Sequence, residues 1–181
     1  MTWAITRLQE ALDAVFSADA DLVSLTGDGV ADGRGNIHHI GVTLNTPGSK
    51  DRLPFVGIQV VDTNPAIFDA STSHIFRSVV VIKAYATDEC LVHKIADRIQ
   101  YMLTTPGDTY CGHLDFSNAH IWNYNTEFQN RMPGGMEESG FDKHLEIFVQ
   151  MIQFEVIWTD VPCGEIIEPE CKVCELPIPY D

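Results

Sequence analysis

The sequence predicts an α+β domain: a mainly antiparallel sheet with two helices packed on one face, followed by an extended C-terminal arm. Three observations predict it. Apolar residues recur at helical spacing in two separate stretches, near 2–16 and 88–103. Alternating or continuous apolar runs of strand length occur near 53–61, 74–86, 120–129 and 144–158. The order is therefore helix, strand, strand, helix, strand, strand, which suits helices laid over one side of a sheet. Residues 1–160 make the domain and residues 161–181 the arm.

The first helix carries Ile5, Leu8, Leu12, Val15 and Phe16 on one stripe, widened by Ala4 and Ala11. The segment SADADLVSLTG after it reads as a short second turn or helix ending at Gly27, with Ser17 or Asp19 as its cap. A Gly-, Asp- and Asn-rich region then runs to Arg52, with one short strand expected around Ile37 to Leu44. LPFVGIQVV, 53–61, is a strand, and DTNPAIFDASTS a turn-rich link. In 74–86 the Val79 to Ile82 run predicts a central strand.

The second helix, 88–103, places Leu91, Ile95, Ile99 and Met102 on one face, with Val92, Ala96 and Leu103 beside them. Asp88 and Glu89 open it, where negative charge complements the helix dipole. HIWNYNTEFQ then alternates, with Trp122, Tyr124, Thr126 and Phe128 expected on one side. In the last strand Leu145, Ile147, Val149 and Met151 share one phase and Ile152, Phe154, Val156 and Trp158 the other. That switch predicts either a bulge near Met151 or a strand whose two halves face different partners.

Composition narrows the function. There are 26 acidic residues against 11 basic, a formal net charge of -15. Phosphate neutralisation needs clustered cations, so nucleic-acid reading is not expected. Acidity on this scale fits solubility, a passage that polyanions traverse without sticking, or high salt. No apolar run reaches membrane-spanning length, and MTWAITRLQEALDAVF has acidic Glu10 and Asp13 where a signal peptide has an apolar core. The expectation is a protein made and assembled inside a cell.

Signals for chemistry are sparse, and no enzyme activity is expected. GDGVADGRG lacks the Lys-Ser/Thr ending of a phosphate loop. Asp28 and Asp32 lack the glutamate that a calcium loop requires at its twelfth position. None of the seven histidines belongs to an HExxH motif, and His93 is read as flanking a packed helix face. Cys90, near a helix N-terminus, is read as packing, and Cys111-x-His113 with Asp115 is a weak metal signal.

The strongest chemical feature is the arm, CGEIIEPECKVCE. Cys171-x-x-Cys174 has the spacing of a zinc knuckle, and Cys163 adds a third thiolate. A structural zinc needs a fourth ligand, which His113, His120 or Cys111 would supply. The alternatives are a redox pair and free thiols. Thiolates among Glu165, Glu168, Glu170 and Glu175 form with difficulty unless a cation is present.

The layout resembles the tail terminator, or tail completion and neck, proteins of long-tailed bacterial and archaeal viruses. The residues that carry the resemblance are LDAVFSADADLVSLTGDGV (12–30), the Leu-Pro strand LPFVGIQVV (53–61), the strand–helix unit VVVIKAYATDECLVHKIADRIQYML (79–103) and FEVIW (154–158). It covers residues 3 to about 160. The loop 104–118 and the cysteine-bearing arm do not match it. The resemblance implies a structural virion protein in a homo-oligomeric, hexameric ring at the head-proximal end of the tail. Such a ring ends tube polymerisation and joins the tail to the head. The tail tube protein and the head connector or neck adaptor proteins would be its partners, and genomic DNA would cross the lumen without specific binding. It implies assembly in the host cytoplasm, no cofactor and no catalytic residue. The alternative reading is a small soluble binding module with a structural metal in its C-terminal tail.

Overall fold

Every second residue from Ser78 to Ala86, namely Ser78, Val80, Ile82, Ala84 and Ala86, is completely buried, while the residues between them are not. That alternation makes the segment a strand with one face in the core. In a computed structural model of the chain, residues 2–27, 36–39, 53–65, 75–104, 114–116, 119, 121–134, 141–142 and 146–160 are described. They form three helices, α1 (Thr2–Ala18), α2 (Ala20–Thr26) and α3 (Glu89–Thr104). The strands are β1 (Ile37–His39), β2 (Phe55–Pro65), β3 (Ile75–Ala86), β4 (Ile121–Pro133), β5 (Phe141–Asp142) and β6 (Ile147–Asp160). The architecture is α+β, as the sequence predicts.

The sheet runs β1-β2-β3-β6-β4, with β5 pairing the start of β6. Only β1 and β2 are parallel; the other pairings are antiparallel. β3 is central, as its Val79–Ile82 run suggests. α1 lies over β1 and β2, α3 over β3, β6 and β4, and α2 sits between the two long helices. Besides the two long helices the layer holds the short α2, the helical one of the two forms expected for SADADLVSLTG; Asp19 caps it and Gly27 ends it. Gly27 has φ 83, a conformation that costs a side-chain-bearing residue and not glycine.

The seam between layers is apolar. Leu8, Leu12 and Phe16 of α1 and Val92, Ile95, Ala96, Ile99 and Leu103 of α3 belong to one core with Val56, Ile58, Val80, Ile82, Ile152, Phe154, Val156 and Trp158 of the sheet. Full burial of one such Leu, Ile or Phe is worth about 1.5–3 kcal/mol. Both helices are rotated slightly from the predicted stripes: Ile5 and Val15, and likewise Leu91 and Met102, are only partly buried. One polar thread crosses the seam. Trp158 Nε1 donates to Ser78 Oγ at 2.9 Å, and Ser78 Oγ lies 2.9 Å from Thr63 Oγ1.

Strand irregularities fall elsewhere than predicted. β6 pairs with β3 in unbroken register from Phe148 to Thr159, so it has no bulge near Met151. Its phase switch has the other cause: Ile152 to Trp158 bury their even positions under the helices, while Ile147 and Val149 are buried on the opposite face. The register shifts lie between Val60 and Asp62 in β2, and in β4 between Asn123 and Asn125 and between Phe128 and Asn130. The first shift in β4 breaks the predicted alternation. Trp122 pairs with Thr159 on the open face, whereas Thr126 pairs with Val156 on the helical face. The extra residue at Tyr124 moves the residues up to Phe128 to the other side, and the second shift restores the original parity from Asn130 on. The expected arm, 161–181, lies outside the described residues.

Candidate functional site

The three helices cover one face of the sheet. On the other face the four long strands present Gln59 and Asp62 of β2, Arg77, Val79, Val81, Lys83 and Tyr85 of β3, and their register partners on β6 and β4. A sheet face turned to water normally carries polar residues at alternate positions. Here the positions of β3 on that face include Ile75, Val79, Val81 and Tyr85, and Val61 beside them is 55% exposed. Tyr124, the extra residue of β4, is 43% exposed and packs edge-on against Trp122.

Charge on this face is concentrated at one place. Glu155 of β6 stands directly opposite Glu127 of β4, two like charges on neighbouring strands. Arg77 of β3 reaches across, its Nε 2.6 Å from Glu155 Oε1. The Glu155 side chain is only 10% exposed, so this ion pair makes a buried carboxylate tolerable beside a second one. At the far end Phe55 and Tyr85 stack, ring centroids 4.4 Å apart. Burial pushes the Tyr85 phenol up to about 12.

A second constellation joins α3 to the sheet. Arg131, carried to the helical side by the second register shift of β4, donates through one terminal nitrogen to Asp97 and through the other to His93 Nδ1 at 2.9 Å. Its Nε donates to Gln150 Oε1 at 3.3 Å. A guanidinium has no acceptor, so Nδ1 offers its lone pair and the ring proton sits on Nε2. His93 therefore flanks the packed face and is engaged by an arginine, consistent with the packing role its position suggests.

A third joins the helices. Arg98 binds both oxygens of Asp19, with Asp21 at 3.0 Å and the Tyr101 ring 5.2 Å from the guanidinium carbon. Burial alone would raise the Asp19 carboxyl. The Arg98 bonds and the Leu22 N–H outweigh it and hold the group below the usual carboxylate range.

The sequence-predicted metal residues Cys163, Cys171 and Cys174 lie outside the described residues, as do Cys111, His113 and His120. Among the described residues no group of three or more His, Cys, Asp or Glu side chains is placed to hold a metal. Cys90 is exposed on the first turn of α3, a correction to its reading as a packed residue: it points away from the stripe that Val92 and Ile95 bury. No described helix is long and apolar enough to cross a membrane. Sequence reasoning missed the Arg77–Glu155–Glu127 group and the role of Arg131. The first needs the strand register, and the second needs α3 laid over the far end of β4, which brings Asp97 and His93 to an arginine more than thirty residues away in sequence.

Compared with known protein families and with curated proteins, the chain matches none.

Proposed function

We propose that the chain is a structural subunit of a homo-oligomeric, hexameric ring at the head-proximal end of a long viral tail. The ring ends polymerisation of the tail tube and joins it to the connector or neck adaptor proteins under the capsid. The observation that carries this reading is the one-sided sheet. All three helices pack on one face, and the other keeps partly exposed valines in its central strand. Subunits that pack side by side bury such a face against a neighbour. The sequence resemblance supplies the kind of ring. The net charge of -15 supports a lumen wall across which DNA slides without adsorbing.

The native mass of the purified full chain tests the proposal, together with electron micrographs of the particle. A closed ring with a mass near six chains is expected; a monomer at micromolar concentration refutes it. The Cys171-x-x-Cys174 spacing favours a second reading, a binding module whose tail holds zinc with Cys163. That reading requires a monomer or dimer containing about one zinc per chain by elemental analysis.

A further inference from the structure

We propose that residues 161–181 of one copy lie on the open sheet face of the next copy. The existence of a next copy rests on the ring reading; the contact itself rests on three observations. The first is where the segment starts. β6 ends at Asp160, and the preceding Thr159 sits between Ile75 and Trp122 on the open face. β6 therefore ends at one end of the sheet, at the edge of that face. Twenty-one residues follow. At ~3.3 Å per extended residue they reach roughly 70 Å, more than a subunit's width.

The second observation is charge. The segment carries five carboxylates and one lysine, Lys172. The helical side, counting the caps Asp19 and Asp88 and the Arg131 of β4 that reaches Asp97, has seven carboxylates against four cations; three of the seven are paired with Arg98 or Arg131, and the excess of carboxylates repels such a segment. The open face of the four long strands has three carboxylates against two cations, Arg77 and Lys83, and one of the three is already paired with Arg77. It is the less acidic of the two layers, and its cations stand among apolar side chains.

The third is chemical match. The segment interleaves Ile166, Ile167, Val173 and Leu176 with its glutamates. Val61, 55% exposed, and the partly exposed Val79 and Val81 offer apolar surface, with Lys83 beside them for a glutamate. Neither partner is apolar enough to form a core by itself, and together they remove from water what each leaves exposed.

Lys83 and Lys172 allow a direct test on the full chain. Isotopically labelled and unlabelled protein are mixed before assembly and treated with an amine-reactive cross-linker. Lys83–Lys172 peptide pairs are expected, and about half of them should join a labelled to an unlabelled chain, as random mixing of contacts between copies requires. Pairs of a single isotope place the segment on its own sheet and overturn the proposal. Absence of the pair overturns it too. The native mass, read on the same sample, separates the two ideas: a ring without mixed pairs sinks only this contact, and a monomer sinks the ring reading as well. Ile167→Asp changes a residue of that segment, beyond the end of β6. It should lower the yield of mixed pairs by about fivefold or more and leave the thermal midpoint of the domain unchanged. An unchanged yield counts against the contact.

Discussion

Arg98 on α3 grips Asp19 with two bonds, Nε to Oδ1 at 2.9 Å and a terminal nitrogen to Oδ2 at 2.6 Å. The same Oδ1 accepts the Leu22 N–H at 2.8 Å, so one carboxylate caps α2 and ties it to α3. Asp19→Ala removes both functions and should cost about 1–3 kcal/mol in urea unfolding. Asp19→Asn keeps a capping oxygen and loses the ion pair. The Asp19 carboxyl is held below its ordinary value of 3.8 in the folded state. Its contribution is therefore complete above that value and vanishes as pH falls through the lower folded one. Asp19→Asn should narrow the stability gap to wild type on acidification below pH 3.8. A gap that stays constant down that limb would show that the pair contributes nothing.

Ser78 is fully buried and holds both Trp158 and Thr63. Ser78→Ala leaves an indole N–H and a hydroxyl without this shared partner, at about 1–3 kcal/mol for the stranded groups. Thr63→Val with Ser78→Ala removes two hydroxyls at once and strands only the indole. The double variant should lose less than the sum of the two single ones. Strict additivity in chemical denaturation would mean the three groups do not act as a thread.

Most of the fold is legible in the sequence because burial here follows period. Ile95 and Ile99 at helical spacing, and Val80 and Ile82 at strand spacing, face the seam that their patterns assign them. The misreadings occur where one extra residue changes parity. Nothing in WNYNTE marks Tyr124 as the residue left out of the ladder, so the faces of Trp122 and Thr126 are misassigned. Ile147 and Val149 are buried on the side opposite to Ile152, which period alone does not distinguish from a bulge. The candidate contact surface is less legible still. Arg77, Glu127 and Glu155 are far apart in sequence, and only the register β3-β6-β4 brings them together.

Ile95 is completely buried where α3 crosses the sheet. Ile95→Asp places a carboxylate in that apolar seam, a change of about 3 kcal/mol or more. A clear fall in thermal midpoint is expected. Cys90→Ser, on the exposed side of the same helix, should leave it within a degree or two, since substitutions away from packed features are nearly neutral. Equal effects of the two substitutions would contradict the face assigned to α3.

The acidity makes a separate forecast. A ring with a lumen lined by acidic or neutral polar side chains should not retard duplex DNA at 0.15 M salt, and lowering the salt should not create binding, because no phosphate is neutralised. Retardation that strengthens steeply as salt falls would reveal a cationic lumen and reject this account of the charge, while leaving the ring intact.

Gly134 ends β4 where two backbones come close. Its N–H donates to the Val149 carbonyl at 2.9 Å, and a Cβ added there would stand 2.6 Å from Val149 Cγ1. Val149 is buried and β-branched, so it has no free rotamer into which to retreat. Gly134→Ala must therefore push β4 from β6 or twist Val149, at about 1–3 kcal/mol. The glycine is needed for the space and not for an unusual φ, which gives the prediction its check. Val149→Ala creates a small deficit by itself yet removes the obstructing methyls, so Gly134→Ala added to it should cost much less than it does in wild type. A coupling of about 1 kcal/mol or more between the two sites, measured by urea unfolding, is expected. If the two costs simply add, the end of β4 does not approach Val149 as closely as the pairing of these strands requires.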